Sequence, residues 1–364
     1  MAVYKIFPEK STTLYSFYPN KNTGLDEILE LSTFLSINNT NEVSRIAIKF
    51  PDDQINDIIA NLVSGSEYDA YIRLYLANAS SIPVNYTIYS YPLSGSWEKG
   101  TGRLGNVPET TDGASWDFRN YDNGTPWFNI SFPIDTTGSY NGLNSGGGLW
   151  YTGSSYESTQ SFTPLLTKDI ELKVSDTVKA WFTSSINNEG FIIKHSSTLE
   201  FISQSYFETK YFSNNTHTIY PPCLEIRWDD YNFSSSLSVV NSDKIVATLG
   251  NNKNEYQQDS IQKFRINVRD QYPARSFTTS SVYLNNKLLP TSSYYSIVDL
   301  DSEEIIVDYD IVYTKISADS TSNYFNVYMN GLEPERYYKI LIKSVFPSGE
   351  TIILDDNYYF KVIR

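Results

Sequence analysis

Two histidines and one cysteine are all the nitrogen and sulfur metal ligands that this 364-residue chain carries. A structural zinc site needs four such ligands and a catalytic one three. His195, His217 and Cys223 lie in separate segments, so metal chemistry of that type is not expected and the two histidines read as exposed or incidental. One cysteine also excludes an intrachain disulfide. Positive charge is scarce: 28 Lys and Arg stand against 42 Asp and Glu, a net charge of −14. Nucleic-acid binding draws on Lys and Arg that neutralise phosphates, and anionic membranes attract basic segments, so neither partner is expected. No run approaches the ~18 apolar residues of a membrane-spanning helix. A basic then apolar leader is missing behind MAVYKIFPEK, which sets the expectation of a chain that is not exported.

The chain is rich in the residues of pleated structure. It holds 30 Tyr and 19 Phe, while charged residues make up only 19%. Tyr, Phe, Thr, Val and Ile suit half-buried strands, and Ser, Asn, Gly and Pro supply turns. Alternation is clear at Ser44–Phe50, where Ile46, Ile48 and Phe50 face one way and Arg45, Ala47 and Lys49 the other. Tyr68–Ala77 reads as one strand with the same period. Further strands are expected at Ala2–Phe7, Thr12–Tyr15, Leu25–Leu31, Asn85–Tyr91, Ile170–Val174, Phe191–Lys194, Leu199–Ile202, Ser205–Tyr211 and Cys223–Trp228. One helix is predicted after Pro51, with Ile55, Ile58, Ile59 and Leu62 at helical spacing and Gly65 as its stop. A shorter one is predicted at Asp176–Phe182.

Residues ~93–165 interrupt this pattern. The segment is rich in Gly, Ser and Pro and holds Trp97, Trp116, Trp127 and Trp150, four of the six tryptophans. A stretch this long is functional or internally ordered. Its tryptophans carry two readings: exposed rings that stack on sugars, or rings that pack the insert onto the sandwich or onto a neighbouring subunit. Val174, Val178, Trp181 and Trp228 are expected in the core. A polar stretch at Asp229–Ser236 marks a boundary, which divides the chain into 1–232 and 233–364. Beyond it short strands recur at Lys244–Leu249, Ile261–Arg269, Ser280–Leu284, Ser293–Asp299, Glu304–Tyr309, Tyr324–Met329, Tyr337–Val345 and Tyr358–Ile363, the texture of an Ig-like sandwich. The expected class is all-β: a jelly-roll-like sandwich with a long aromatic insert, then an Ig or fibronectin III-like sandwich.

Catalytic motifs are wanting. No Gly-x-Ser-x-Gly elbow occurs at a strand–helix turn. Ser145-Gly146-Gly147-Gly148 lacks the lysine and helix of a phosphate loop and reads as a flexible turn. Asp26/Glu27, Asp52/Asp53 and Asp229/Asp230 are adjacent in sequence, and neighbours on a strand point to opposite faces, so none forms a glycosidase pair. The expectation is no enzyme, no catalytic residue and no cofactor.

Several segments together carry a resemblance. Arg45–Phe50, Ala70–Leu76, Gly95-Ser96-Trp97-Glu98, Val174–Trp181, Glu189-Gly190-Phe191-Ile192-Ile193 and Pro222-Cys223-Leu224-Glu225-Ile226 resemble, in order, the DNRLRE-type β-sandwich over residues ~1–230. Two departures stand out: Phe207-Glu208-Thr209-Lys210 replaces that family's Ser-Arg-Glu, and the span from Trp97 to Trp181 is longer. Gly331-Leu332-Glu333-Pro334 with Tyr338 is similar to the fibronectin type III turn. This layout without export is similar to structural proteins of tailed-phage particles. The resemblance implies a non-enzymatic virion protein of the neck, tail or capsid-decoration layer, made in the host cytoplasm. Its partners would be other virion proteins and symmetry-related copies. The alternative is a glycan-binding or adhesion module that uses the insert aromatics.

Overall fold

The computed structural model describes all residues except 1, 37–40, 64–66, 83–84, 128–145, 201–206 and 274–285. It is an all-β sandwich protein with three short helices among the described residues. Through residue 228 the strands are β1 Ala2–Ile6, β2 Lys10–Tyr15, β3 Ile28–Leu35, β4 Asn41–Lys49, β5 Tyr68–Leu74, β6 Leu76–Ser80, β7 Tyr86–Pro92, β8 Phe118–Asn120, β9 Thr125–Pro126, β10 Ser158–Phe162, β11 Ile170–Lys173, β12 Phe191–His195, β13 Phe207–Phe212 and β14 Cys223–Trp228. Helices α1 Asp52–Asn61, α2 Ser175–Phe182 and α3 Ser197–Glu200 lie among them.

One sheet has the order β1-β14-β5-β11. A larger one runs β10-β7-β12-β4-β3-β13-β6, with β2 also paired to β4. The expected strand Tyr68–Ala77 is two strands. β5 pairs with β11 in the first sheet and β6 with β13 in the second. The chain leaves the ladder at Tyr75, because the Leu76 N–H donates to the Asp169 carboxylate at 2.7 Å instead of to a strand neighbour. Leu199–Ile202 is also corrected. Residues 197–200 form α3, which Ser196 starts by accepting the N–H groups of Leu199 and Glu200, while Ile202 lies outside the described residues. So do Gly65, Ser205 and the expected strand Ser280–Leu284.

The corner after α2 depends on a glycine. Gly190 has φ +89°, and a Cβ there would lie 2.3 Å from the Ile48 carbonyl oxygen. Only glycine adopts this backbone at such an approach without strain. Asn188 fixes the corner by donating to the Phe50 carbonyl and accepting from the Gly190 N–H. Val174, Val178 and Trp181 are buried, and the Trp181 ring lies 4.6 Å from that of Phe191. The helix thus places its apolar side where β12 begins.

After residue 228 the strands are β15 Ile245–Gly250, β16 Glu255–Gln257, β17 Ile261–Asp270, β18 Ser293–Asp299, β19 Ile305–Val307, β20 Ser317–Ala318, β21 Asn323–Tyr328, β22 Tyr337–Val345, β23 Thr351–Leu354 and β24 Tyr359–Ile363. They form two sheets, β15-β17-β21-β20 and β16-β24-β22-β18-β19, with β23 against β22. Phe264, Ile266 and Val268 of β17 and Tyr338, Ile340 and Ile342 of β22 belong to one core cluster. The buried Tyr338 donates its hydroxyl to the Glu333 carbonyl at 2.9 Å, the back-bonded arrangement of a tyrosine corner. Contacts divide the chain into two compact units, Ile6–Leu62 with Asp69–Glu225, and Met1–Lys5 with Val63–Tyr68 and Ile226–Arg364.

Candidate functional site: a charge network under the aromatic insert

Strand β4 shows the alternation expected of it, yet Val43–Ile48 are buried throughout, so both faces are covered. The register explains what covers the second face. Leu14 of β2 lies opposite Arg45, and Ile192 of β12 opposite Ala47. Leu14, Val43, Ala47 and Ile192 share one cluster with Leu93, Ala114, Trp97, Trp116, Trp127 and Trp150. The described part of the insert therefore folds back over the large sheet.

All four insert tryptophans are 1–5% exposed. The Trp97 indole N–H donates to the Glu189 carbonyl at 2.9 Å, and that of Trp127 to the Ser115 carbonyl at 2.8 Å. Trp150 stacks on Tyr91 at 6.0 Å. A ring that stacks on a sugar or meets a partner must present a face, and these faces are spent on the sandwich. Of the two readings, the rings at Trp97, Trp116, Trp127 and Trp150 follow the one that packs the insert onto the sandwich, and the exposed sugar-stacking reading is corrected on this ground. Trp228 is buried as well.

Beneath the tryptophans lies a sealed charge network. Arg45 is fully buried and donates through Nε and Nη2 to the two oxygens of Glu200 at 2.9 and 3.0 Å. Its Nη1 donates to the Gly147 carbonyl at 2.9 Å. The guanidinium also lies 4.9 Å from the Trp116 ring centre and 5.3 Å from that of Trp150. A desolvated cation over aromatic faces is attracted by their quadrupoles, and Arg does this best because it is planar and weakly hydrated. Lys194 reaches the same carboxylate at 2.9 Å. Burial alone would raise the Glu200 carboxyl, but Arg45 and then Lys194 hold it below its usual range. Burial lowers the Lys194 ammonium despite the attraction of Glu200.

The glycine run is part of this network. Gly146, Gly147 and Gly148 are buried, which corrects the expectation of a flexible turn there; Ser145 lies outside the described residues. A Cβ on Gly146 would come within 2.4 Å of the Trp116 ring, and one on Gly147 within 2.7 Å of Arg45 Nη1. Asn22 ties the insert at a second point. Its amide donates to the carbonyls of Lys99 and Ala114 and accepts from the N–H groups of Gly24 and Gly102, between 2.7 and 3.0 Å.

His195 is fully buried, which corrects the exposed half of the expectation of an exposed or incidental histidine. Its ring centre lies 4.5 Å from that of Phe207 and 6.3 Å from that of Tyr86. Both ring nitrogens lack a hydrogen-bond partner among the described residues. Burial pushes its pKa down to about 4. His217 is exposed. Among the described residues no group of three His, Cys, Asp or Glu side chains is placed to hold a metal ion.

Sequence reading missed Arg45, Gly147, Lys194 and Glu200 as a set. An arginine on the second face of an alternating strand reads as solvent-facing, and Glu200 lies 155 residues away. The one available signal is the glycine run beside Trp150. Chemically the cluster is a lock: its carboxylate accepts from both cations, and Lys194 and Glu200 are 7% and 1% exposed. No family model matches the chain, and no curated protein does. Among solved structures, a crystal structure of a DUF4785 family protein from Legionella pneumophila aligns at 8% identity and a TM-score of 0.19. It covers 98% of this chain, which spans 65% of that protein.

Proposed function

We propose that this protein is a non-enzymatic structural component of a tailed-phage particle, an adaptor of the neck, tail or capsid-decoration layer that works through protein–protein contacts. The observation that supports this reading best is the Arg45–Glu200–Lys194 network beneath the insert. Buried ions are costly unless paired and hydrogen-bonded, and the Arg45–Glu200 pair joins residues 155 positions apart in sequence. The Arg45 bond to the Gly147 carbonyl and the Trp116 and Trp150 rings over its guanidinium tie the described part of the insert to this network, which suits a part held in place by its neighbours. The glycan-binding alternative loses its support, because the rings it requires are buried.

The test is mass spectrometry of purified particles from the host that carries the gene. Peptides of this chain at a stoichiometric level support the reading. Their absence from intact particles overturns it. A glycan array on the isolated protein is expected to show no binding that depends on Trp116 or Trp127.

A further inference from the structure

The C-terminal strands carry two surfaces of opposite charge. Between residues 299 and 310 the chain holds Asp299, Asp301, Glu303, Glu304, Asp308 and Asp310, and no Lys or Arg. Asp299 is buried and held by Arg336. The other five border β19, the terminal strand of its sheet. Apolar side chains stand exposed among them: Leu300 at 40%, Ile305 at 51%, Ile311 at 75% and Val312 at 42%. Acidic residues mixed with bare aliphatic ones have the composition of a contact surface. No metal-capable group occurs there among the described residues.

The second surface is the outer face of β17. Phe264, Ile266 and Val268 point into the core, so Lys263, Arg265 and Arg269 point outward from alternate positions. Ile261, on the same outward row, is 51% exposed. Arg265 is held by Asp319 in a two-pronged pair at 3.0 and 2.8 Å. Lys263 sits 3.7 Å over the Tyr324 ring and 3.9 Å from the same Asp319 carboxylate, and Arg269 donates to the backbone carbonyl of Asp270, so two of the three cations on this face share one carboxylate. The outward residues of β17 face away from the sheet that contains β19, so one copy cannot satisfy its own two surfaces.

We infer that these surfaces bind each other between copies of this chain, the β17 face of one against the acidic β19 margin of the next. Charge complementarity selects this occupant. A chain of net charge −14 repels its own copies except where a basic face meets an acidic one. Pairing like with like, as a two-fold dimer of either surface requires, would oppose acid to acid or base to base. The contact is therefore head-to-tail, and such a contact propagates into a ring or a filament. The biological meaning rests on the assembly role proposed above; the physical claim does not.

Sedimentation velocity on the full chain tests it, with one double variant at exposed Lys263 and half-buried Arg269 and a second at exposed Asp301 and Glu303. Lys263→Glu with Arg269→Glu reverses the basic face, and Asp301→Lys with Glu303→Lys reverses the acidic margin. At about 0.15 M salt, where the screening length is ~8 Å, the unsubstituted chain is expected to associate with rising concentration and to dissociate near 1 M salt. Each variant alone is expected to stay monomeric with unchanged circular dichroism. An equimolar mixture of the two is expected to associate again, because every contact then meets a complementary one. The inference is overturned if the unsubstituted chain is monomeric up to about 0.1 mM, if either variant associates like it, or if the mixture stays monomeric. A chain that self-associates but is missing from particles would remove the phage reading and leave this interface standing.

Discussion

Replacing Glu200 by Gln should destabilise the N-terminal sandwich more than any surface change. The carboxylate accepts two hydrogen bonds from Arg45 and one from Lys194, and all three side chains are at most 7% exposed. The substitution keeps the shape and removes the only negative charge in this network, so two buried cations face each other. Breaking a buried ion pair from one side costs about 3–5 kcal/mol, because the remaining charge has no compensation. For a unit of this size each kcal/mol moves Tm by about 2–4 °C, which gives a fall of roughly 6–20 °C. The Trp116 and Trp150 rings lie over Arg45, so thermal and urea unfolding followed by tryptophan emission will report the transition. A triple change, Arg45→Met with Lys194→Met and Glu200→Leu, takes a side-chain donor from the Gly147 and His195 carbonyls and should recover most of the loss, since apolar replacements of whole ion networks are often neutral. A loss below ~1 kcal/mol for Glu200→Gln would place the pair in the range of solvent-screened surface bridges and refute the reasoning. So would a triple variant less stable than the single one.

His195 should make the fold sensitive to acid. Its folded pKa of about 4 lies below its ordinary 6.5, so the unfolded chain binds the proton more readily. The stability it supports is complete above pH 6.5 and falls as pH drops through 6.5 towards 4, by up to about 3 kcal/mol. Urea midpoints for His195→Phe should show a flatter pH profile across this window. Gly190→Ala should cost more than ~1 kcal/mol by urea unfolding, from the positive φ together with the approach to the Ile48 carbonyl. Tyr338→Phe removes the hydroxyl bond to Glu333 and should lower stability by about 1 kcal/mol in the same assay. Trp116→Ala should act as a core truncation, with a loss of ~3–5 kcal/mol in calorimetry.

The amino-acid pattern by itself determined the all-β class and most strand positions, because alternation and turn chemistry are local. β18 lies at Ser293–Asp299, as its alternation predicts, and α1 starts behind Pro51, as the proline and the isoleucine spacing predict. Local signals also placed Val174, Val178 and Trp181 in the core. Two things needed the tertiary structure. One is where the chain changes sheet: the break at Tyr75 follows from the Asp169 carboxylate, which is remote in sequence. The other is which side of the large sheet meets water. Alternation shows that Arg45 and Ile46 face opposite ways, but it cannot show that a segment some fifty to a hundred residues further on covers the Arg45 side. Burial of an arginine is decided by partners brought together in space, here Glu200, Gly147 and two indole rings. The scarcity of histidine and cysteine was legible from composition; that His195 is sealed beside Phe207 and Tyr86 was not, because desolvation belongs to the folded surroundings and not to the residue.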